Sequence, residues 1–177
     1  MNSHPGGKEH TLALLEAARA SGLPDGGWIL DMGAGDGKAV EMLRGEGYNV
    51  VGIDLEPRGE CVAFGDLLNS GKADKSFDAV LSECAFFVCG DPARAMKEAF
   101  RILKPGGLLM LSDVVFEDFD PAGHAMDLGF EVLQAEDLTD IWKEYYLRAL
   151  WTEDSDCCSI PQGKGKCRYF SYLMRKA

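Results

Sequence analysis

Asp31, Gly33, Gly35, Gly37 and Asp54 are the residues of this chain whose types and spacing could do chemistry. The apolar run Trp28–Leu30 predicts a buried strand ending at Asp31, and Val50–Ile53 predicts a second ending at Asp54. Between them the glycines let the backbone turn sharply, with no Cβ to block a ligand. A carboxylate at the end of the second strand can accept both hydroxyls of a ribose. A strand, a glycine turn and an acid closing the next strand form a unit that holds a nucleoside.

The spacing bears on which nucleoside. Dinucleotide binders use G-x-G-x-x-G or G-x-G-x-x-A, so that a helix start packs closely on the strand and its N-terminus faces a pyrophosphate. Counted from Gly33, the third position of that pattern is Lys38, which does not satisfy it. The pattern present is D-x-G-x-G-x-G, from Asp31 to Gly37, which provides an open turn suited to a ligand without phosphates.

Around this unit, strands and helices alternate, as in a mostly parallel sheet covered on both faces. Residues 8–21 form a leading helix with a stripe of Leu12, Leu14, Leu15 and Ala18, ended by Gly22, Pro24, Gly26 and Gly27. Lys38–Gly45 continues the glycine turn as a helix. Cys61–Phe64 is a short third strand, too close to Asp54 for a full helix between them. Phe77–Leu81 is a fourth. Asp91-Pro92 supplies an N-cap and a first-turn proline for the next helix, and Lys104-Pro105-Gly106-Gly107 stops it. Leu108–Leu111 is a fifth strand running on towards Phe116. Asp120–Leu128 holds at most two helical turns, and Phe130–Leu133 is a sixth strand. Leu138, Ile141, Trp142, Tyr145, Ala149 and Leu150 trace one helix face, residues 152–166 form a polar loop, and Tyr169–Met174 is a last strand.

Four places in order resemble the motifs of class I S-adenosylmethionine-dependent methyltransferases. They are Asp31–Gly37, then Gly52-Ile53-Asp54, then Phe64-Gly65-Asp66-Leu67, then Phe77-Asp78-Ala79-Val80-Leu81-Ser82 with the helix ending Arg101-Ile102-Leu103-Lys104-Pro105-Gly106-Gly107. The resemblance covers about residues 10–135 and the final strand. It implies a Rossmann-like, doubly wound α/β fold: a mostly parallel seven-stranded sheet with an antiparallel last strand. Residues 1–177 are then one methyltransferase domain, with the leading helix in 1–22 and a helix and loop, 137–166, inserted before the last strand. The implied cofactor is S-adenosylmethionine. Asp31 would organise the glycine loop, and Gly33 and Gly35 would bring backbone amides near the cofactor's methionine end. Asp54 would accept the ribose hydroxyls and Asp66 the adenine amino group, Leu67 would pack near the adenine, and the Ser82 carbonyl would meet the ammonium. Two rivals from other classes are a nicotinamide-dependent oxidoreductase, which Lys38 argues against, and a catalytically silent cofactor-binding protein.

The acceptor side is read from Ser82-Glu83-Cys84-Ala85. Methyltransferases of DNA base amino groups often carry [DN]-P-P-[YFW] there, so base methylation is not expected. Glu83 and Cys84 are candidates to face the acceptor. Ser-Glu-Cys, with Lys-Pro-Gly-Gly and then Ser112-Asp113-Val114, locally resembles arsenite methyltransferases, which hold trivalent arsenic with cysteine thiolates. A metalloid or thiol acceptor would bring Cys84 together with Cys157, Cys158 or Cys167. The spacing of the late cysteines, C-C-x₈-C, matches no zinc pattern, and no resident metal is expected. Cys61, Cys84 and Cys89 otherwise read as small buried hydrophobes. His4, His10 and His124 show no ligand spacing and read as incidental surface residues. Trp142, Tyr145 and Tyr146 read as core.

Composition narrows the partners. The chain has 177 residues and a formal net charge of −11 at pH 7, so its surface repels phosphate backbones and a nucleic-acid substrate is not expected. The acceptor is expected to be a small molecule. The segment MNSHPGGKEH has no apolar stretch of a signal peptide, and nothing approaches a membrane span. A cytoplasmic location with unpaired thiols follows.

Overall fold

A computed structural model describes residues 4–152 and 166–177. Seven strands form one sheet: β1 Trp28–Met32, β2 Asn49–Asp54, β3 Val62–Phe64, β4 Phe77–Glu83, β5 Leu103–Phe116, β6 Phe130–Asp137 and β7 Cys167–Lys176. Their order is β3-β2-β1-β4-β5-β7-β6. Pairing is parallel from β3 through β5, and β7 runs antiparallel to both neighbours. The order reverses beside β1, whose neighbours are β2 and β4, and a crevice opens at such a point above the carboxyl ends of the strands.

Side-chain alternation divides the core into two faces. Ile29 of β1 and Ala79 and Leu81 of β4 pack under α1 (Gly7–Ala20) and α2 (Lys38–Gly45), against Leu14, Leu15, Ala18, Val40 and Leu43. Leu30, Met32 and Val80 turn the other way, towards α3 (Pro92–Ile102) and α4 (Pro121–Leu128), against Ala95, Met96, Ala99, Ile102 and Ala125. A smaller cluster lies near the carboxyl ends, where Cys84, Val114, Leu138 and Tyr169 meet Trp142 of α5 (Thr139–Thr152).

Local chemistry explains the boundaries. α2 begins where Gly37 takes φ 80°, a left-handed conformation that side chains disfavour. Asp91 Oδ1 accepts from the Arg94 amide at 3.0 Å and caps α3 ahead of Pro92. α3 ends at Ile102. Leu103 is already extended, and Pro105 keeps Lys104 out of the helical region.

The structure departs from expectation in three places. β5 begins at Leu103, so Lys104–Gly107 belongs to the strand rather than to a loop. β6 runs to Asp137, four residues beyond Leu133, because it pairs along its length with β7. Within α5, Tyr145 and Tyr146 are buried while Ile141 is 46% exposed, so Ile141 does not share the inward face. Most of the expected 152–166 loop, including Cys157 and Cys158, lies outside the described residues. Among those described, no helix is long and apolar enough to cross a membrane.

The Asp91 cap can be tested by substitution. Asp91→Ala should lower unfolding free energy by about 0.5–2 kcal/mol in urea titrations, with S-adenosylhomocysteine affinity unchanged, because Asp91 lies outside the cavity described below.

Candidate active site

The glycine turn after β1 is fastened to the end of β2. The amides of Gly33 and Ala34 both donate to the Ile53 carbonyl, at 2.9 and 3.0 Å. The Gly35 amide donates to Asp54 Oδ2 at 2.9 Å, and Asp54 Oδ1 accepts from the Glu56 amide at 2.9 Å. Asp54, not Asp31, therefore organises the loop. Gly33 has φ 91°, and a Cβ there would collide with that of Ala85 on the loop after β4.

Above these ends lies a cavity of about 540 Å³. Asp31, Gly33, Gly35, Asp54, Leu67, Glu83 and Cys84 all line it, so the structure brings most of the sequence-derived site together. Asp66 and Ser82 are not among its lining residues. Asp66 Oδ1 accepts from the Leu68 amide at 2.8 Å within its own turn. Ser82 is fully buried, and its hydroxyl donates to the Met32 carbonyl at 2.9 Å.

The cavity's electrostatics are lopsided. Among the described residues five carboxylates line it (Asp31, Asp36, Asp54, Glu56 and Glu83) against one arginine, Arg58. Asp31 is 3% exposed, and its Oδ2 has no hydrogen-bond partner among the described residues. Burial, followed by the charges of Glu83, Asp54 and Asp36, pushes its carboxyl well above the usual carboxylate range. A buried, unpartnered oxygen among like charges is costly until a cation or donor reaches it.

The N-terminal residues supply a wall that the sequence did not reveal. His4 is 9% exposed and lines the cavity, so it is not a surface histidine. Its Nε2 lies 3.4 Å from Glu83 Oε2 and 3.3 Å from Thr11 Oγ1. The Thr11 hydroxyl donates to Glu83 at 3.0–3.1 Å. His10 is also partly buried, with Nε2 2.8 Å from Ser112 Oγ, and burial holds its imidazole below the usual value. His124 is partly buried too, 3.3 Å from the Ala93 carbonyl.

On the acceptor side, Asp113 Oδ2 accepts from the amides of Phe86 and Phe87, at 2.7 and 3.2 Å, and so fixes the short 3-10 turn Phe86–Val88. Cys84, just before it, has φ 58°, strained for a non-glycine residue. Its sulfur lies 3.4 Å from the hydroxyl of fully buried Tyr169. Cys167 packs in the same cluster but does not line the cavity, whereas Cys89 does. Burial pushes the Cys89 thiol up, and it donates to the Phe86 carbonyl at 3.0 Å. Among the described residues no group of three or more His, Cys, Asp or Glu is placed to hold a metal ion.

Residues 30–111 match the family model described as a methyltransferase domain. An arsenite methyltransferase from Aquipseudomonas alcaligenes is 33% identical over 120 residues, covering 54% of this chain and 35% of that protein. A demethylmenaquinone methyltransferase from Tropheryma whipplei is 32% identical over 109 residues, covering 55% and 46%. The chain thus spans a third to a half of these relatives' lengths. The fold superimposes on phosphoethanolamine N-methyltransferase 2 of Haemonchus contortus, solved with S-adenosylhomocysteine, with a TM-score of 0.76, 20% identity and coverage of 98% of this chain and 54% of that one. The strand order and helices define a doubly wound α/β domain. Over residues 30–111 the chain is similar to methyltransferase domains, and it shares its fold with a solved methyltransferase.

The unpartnered Asp31 has a measurable consequence. Its carboxyl titrates higher folded than unfolded, so the folded protein holds that proton more tightly, and stability from this group is lost as pH rises from about 4 through the folded value. Asp31→Asn should therefore melt at a higher temperature than wild type at pH 8, with the gap closing towards pH 4.

Proposed function

We propose that the chain transfers the methyl group of S-adenosylmethionine to a small-molecule acceptor by in-line displacement. The observation that carries this reading is the acid-lined cavity over β1, β2 and β4, with the buried Asp31 Oδ2 unpartnered. A site with five carboxylates and one arginine favours a ligand bearing positive charge. The residues fit the cofactor: the glycine turn leaves room where side chains would collide, and Leu67 gives an apolar wall for the adenine. Asp54 keeps lone pairs for the ribose hydroxyls after accepting its two amides. Asp66 and the Ser82 carbonyl remain candidates for the adenine amino group and the ammonium.

When bound, S-adenosylmethionine supplies a methyl group already activated on its sulfonium. The protein's part is to enclose the pocket, exclude water and align the acceptor, and proximity alone can supply ~7–11 kcal/mol of barrier reduction. A small molecule rather than a nucleic acid is favoured by the net charge of −11 and by relatives named for arsenite and demethylmenaquinone.

A second reading, a metalloid acceptor, is favoured by Cys84 and Cys89 lining one cavity and by the arsenite methyltransferase likeness. The raised, hydrogen-bonded Cys89 thiol counts against it, since the thiolate is the metal ligand.

Calorimetry with S-adenosylmethionine, S-adenosylhomocysteine and the nicotinamides, followed by turnover against phenols, thiols, amines and arsenite, tests these readings. Binding of a nicotinamide alone overturns the first. Cofactor binding without turnover favours a silent binding protein, and turnover of arsenite alone favours the second. Asp54→Ala should weaken S-adenosylhomocysteine binding at least as much as the loss of charged hydrogen bonds, about 1.5–3 kcal/mol or roughly 10–150-fold. It should also speed amide exchange at Gly35, because the Gly35 amide loses its partner.

A further inference from the structure

We propose that Glu83, held by His4 and Thr11, joins Asp31 in a subsite for the ammonium at the amino-acid end of the cofactor. The proposal rests on the cofactor assignment above and moves Glu83 from the acceptor side to the cofactor side.

Strand register carries the first step. Asp31 lies beside Leu81 in the β1–β4 pair, and Glu83, two residues further along β4, projects from the same face as Leu81. That is the face covered by α1, so Thr11 of α1 and His4 before it reach Glu83. The Glu83 side chain is 6% exposed. It receives the Thr11 hydroxyl at 3.0–3.1 Å and faces His4 Nε2 at 3.4 Å. The other ring nitrogen of His4, Nδ1, lies 3.1 Å from the Pro5 carbonyl, which only accepts. His4 is thus held between the turn before α1 and the Glu83 carboxylate.

Asp31 has no such support. Its Oδ2 is buried in the cavity wall with no donor among the described residues, and Glu83 heads the charges acting on it. The one arginine of the cavity is not placed to serve: Arg58 donates its amide to the Gly35 carbonyl and its guanidinium lies against Gly35, on the turn. What fits between two carboxylates of one face is a compact cation with several donors. An ammonium presents three, and paired with ionised acceptors its hydrogen bonds are short and strong. Asp31 and Glu83 would touch the ligand, while His4 and Thr11 act through Glu83 as positioning residues. His4 and Thr11 also lie outside residues 30–111 matched by the family model, so this half of the subsite belongs to the leading segment.

The rival account is that His4 and Thr11 only fasten the leading segment to β4. Two ligands separate the accounts: S-adenosylhomocysteine, and 5′-methylthioadenosine, which keeps the adenosine and thioether but lacks the amino-acid end. Calorimetry on the full chain should show Glu83→Gln weakening S-adenosylhomocysteine about tenfold or more, with His4→Gln and Thr11→Val giving smaller losses in the same direction. Methylthioadenosine should bind all four proteins within twofold. Wild-type affinity for S-adenosylhomocysteine in Glu83→Gln overturns the subsite, as does an equal loss for both ligands, which marks a structural role. Thr11→Val, nearly isosteric, decides the point if Glu83→Gln is unstable. If wild type binds neither ligand, the cofactor assignment itself fails. If wild type binds both and the variants do not discriminate between them, only the subsite fails.

Discussion

The site depends on where the amides of the glycine turn find acceptors. Leaving β1, the chain reverses over the end of β2 and delivers Gly33, Ala34 and Gly35 to Ile53 and Asp54. Buried amides must be paired, and here the pairing also fixes geometry: one carboxylate holds the turn and lines the cavity. The parallel register of β1 with β2 makes this possible, since it sets Met32 beside Ile53 at the mouth of the crevice. Shifting that register by one residue would turn the alternating side chains to the wrong faces and leave the turn without its anchor.

The two faces of the sheet then take different work. The α3 and α4 face is apolar to the edge of the site, and there Ser82 satisfies itself on Met32. The α1 face carries polar groups into its upper layer: Asp31, Glu83, His10, Ser112 and Ser171, the last two joined at 3.2 Å. A polar layer of this kind is tolerated when its members are mutually satisfied. Asp31 is the exception, and such exceptions concentrate where a ligand completes the structure.

Much of the fold and of the cofactor side was legible in sequence because both are written locally. Gly37 opens α2, Asp91-Pro92 opens α3, and β1 and β2 are runs whose ends carry their acids. What escaped depends on partners remote in sequence. His10 meets Ser112 across 102 positions and Thr11 meets Glu83 across 72, and no spacing rule reaches that far. Two glycines after His4-Pro5 were the available signal: Gly6, with φ 77°, caps α1 and returns His4 over the cavity. The end of β6 has an equally remote origin, because Gln134–Asp137 are strand only by virtue of β7. Asp66 follows β3 as expected, but its own turn draws its side chain to the Leu68 amide, which the motif alone does not disclose.

The order of the last two strands shapes the birth of the molecule. β6 sits at the edge of the sheet and touches it only through β7, yet β7 follows β6 with all of α5 between them. During synthesis, β6 leaves the ribosome with no strand to join, and β5 presents a long unpaired edge through Val114 and Val115. Open edges of this kind recruit other chains. The nascent protein is therefore most exposed to aggregation between the emergence of Phe130 and that of Lys176, and chaperone protection matters most in that interval.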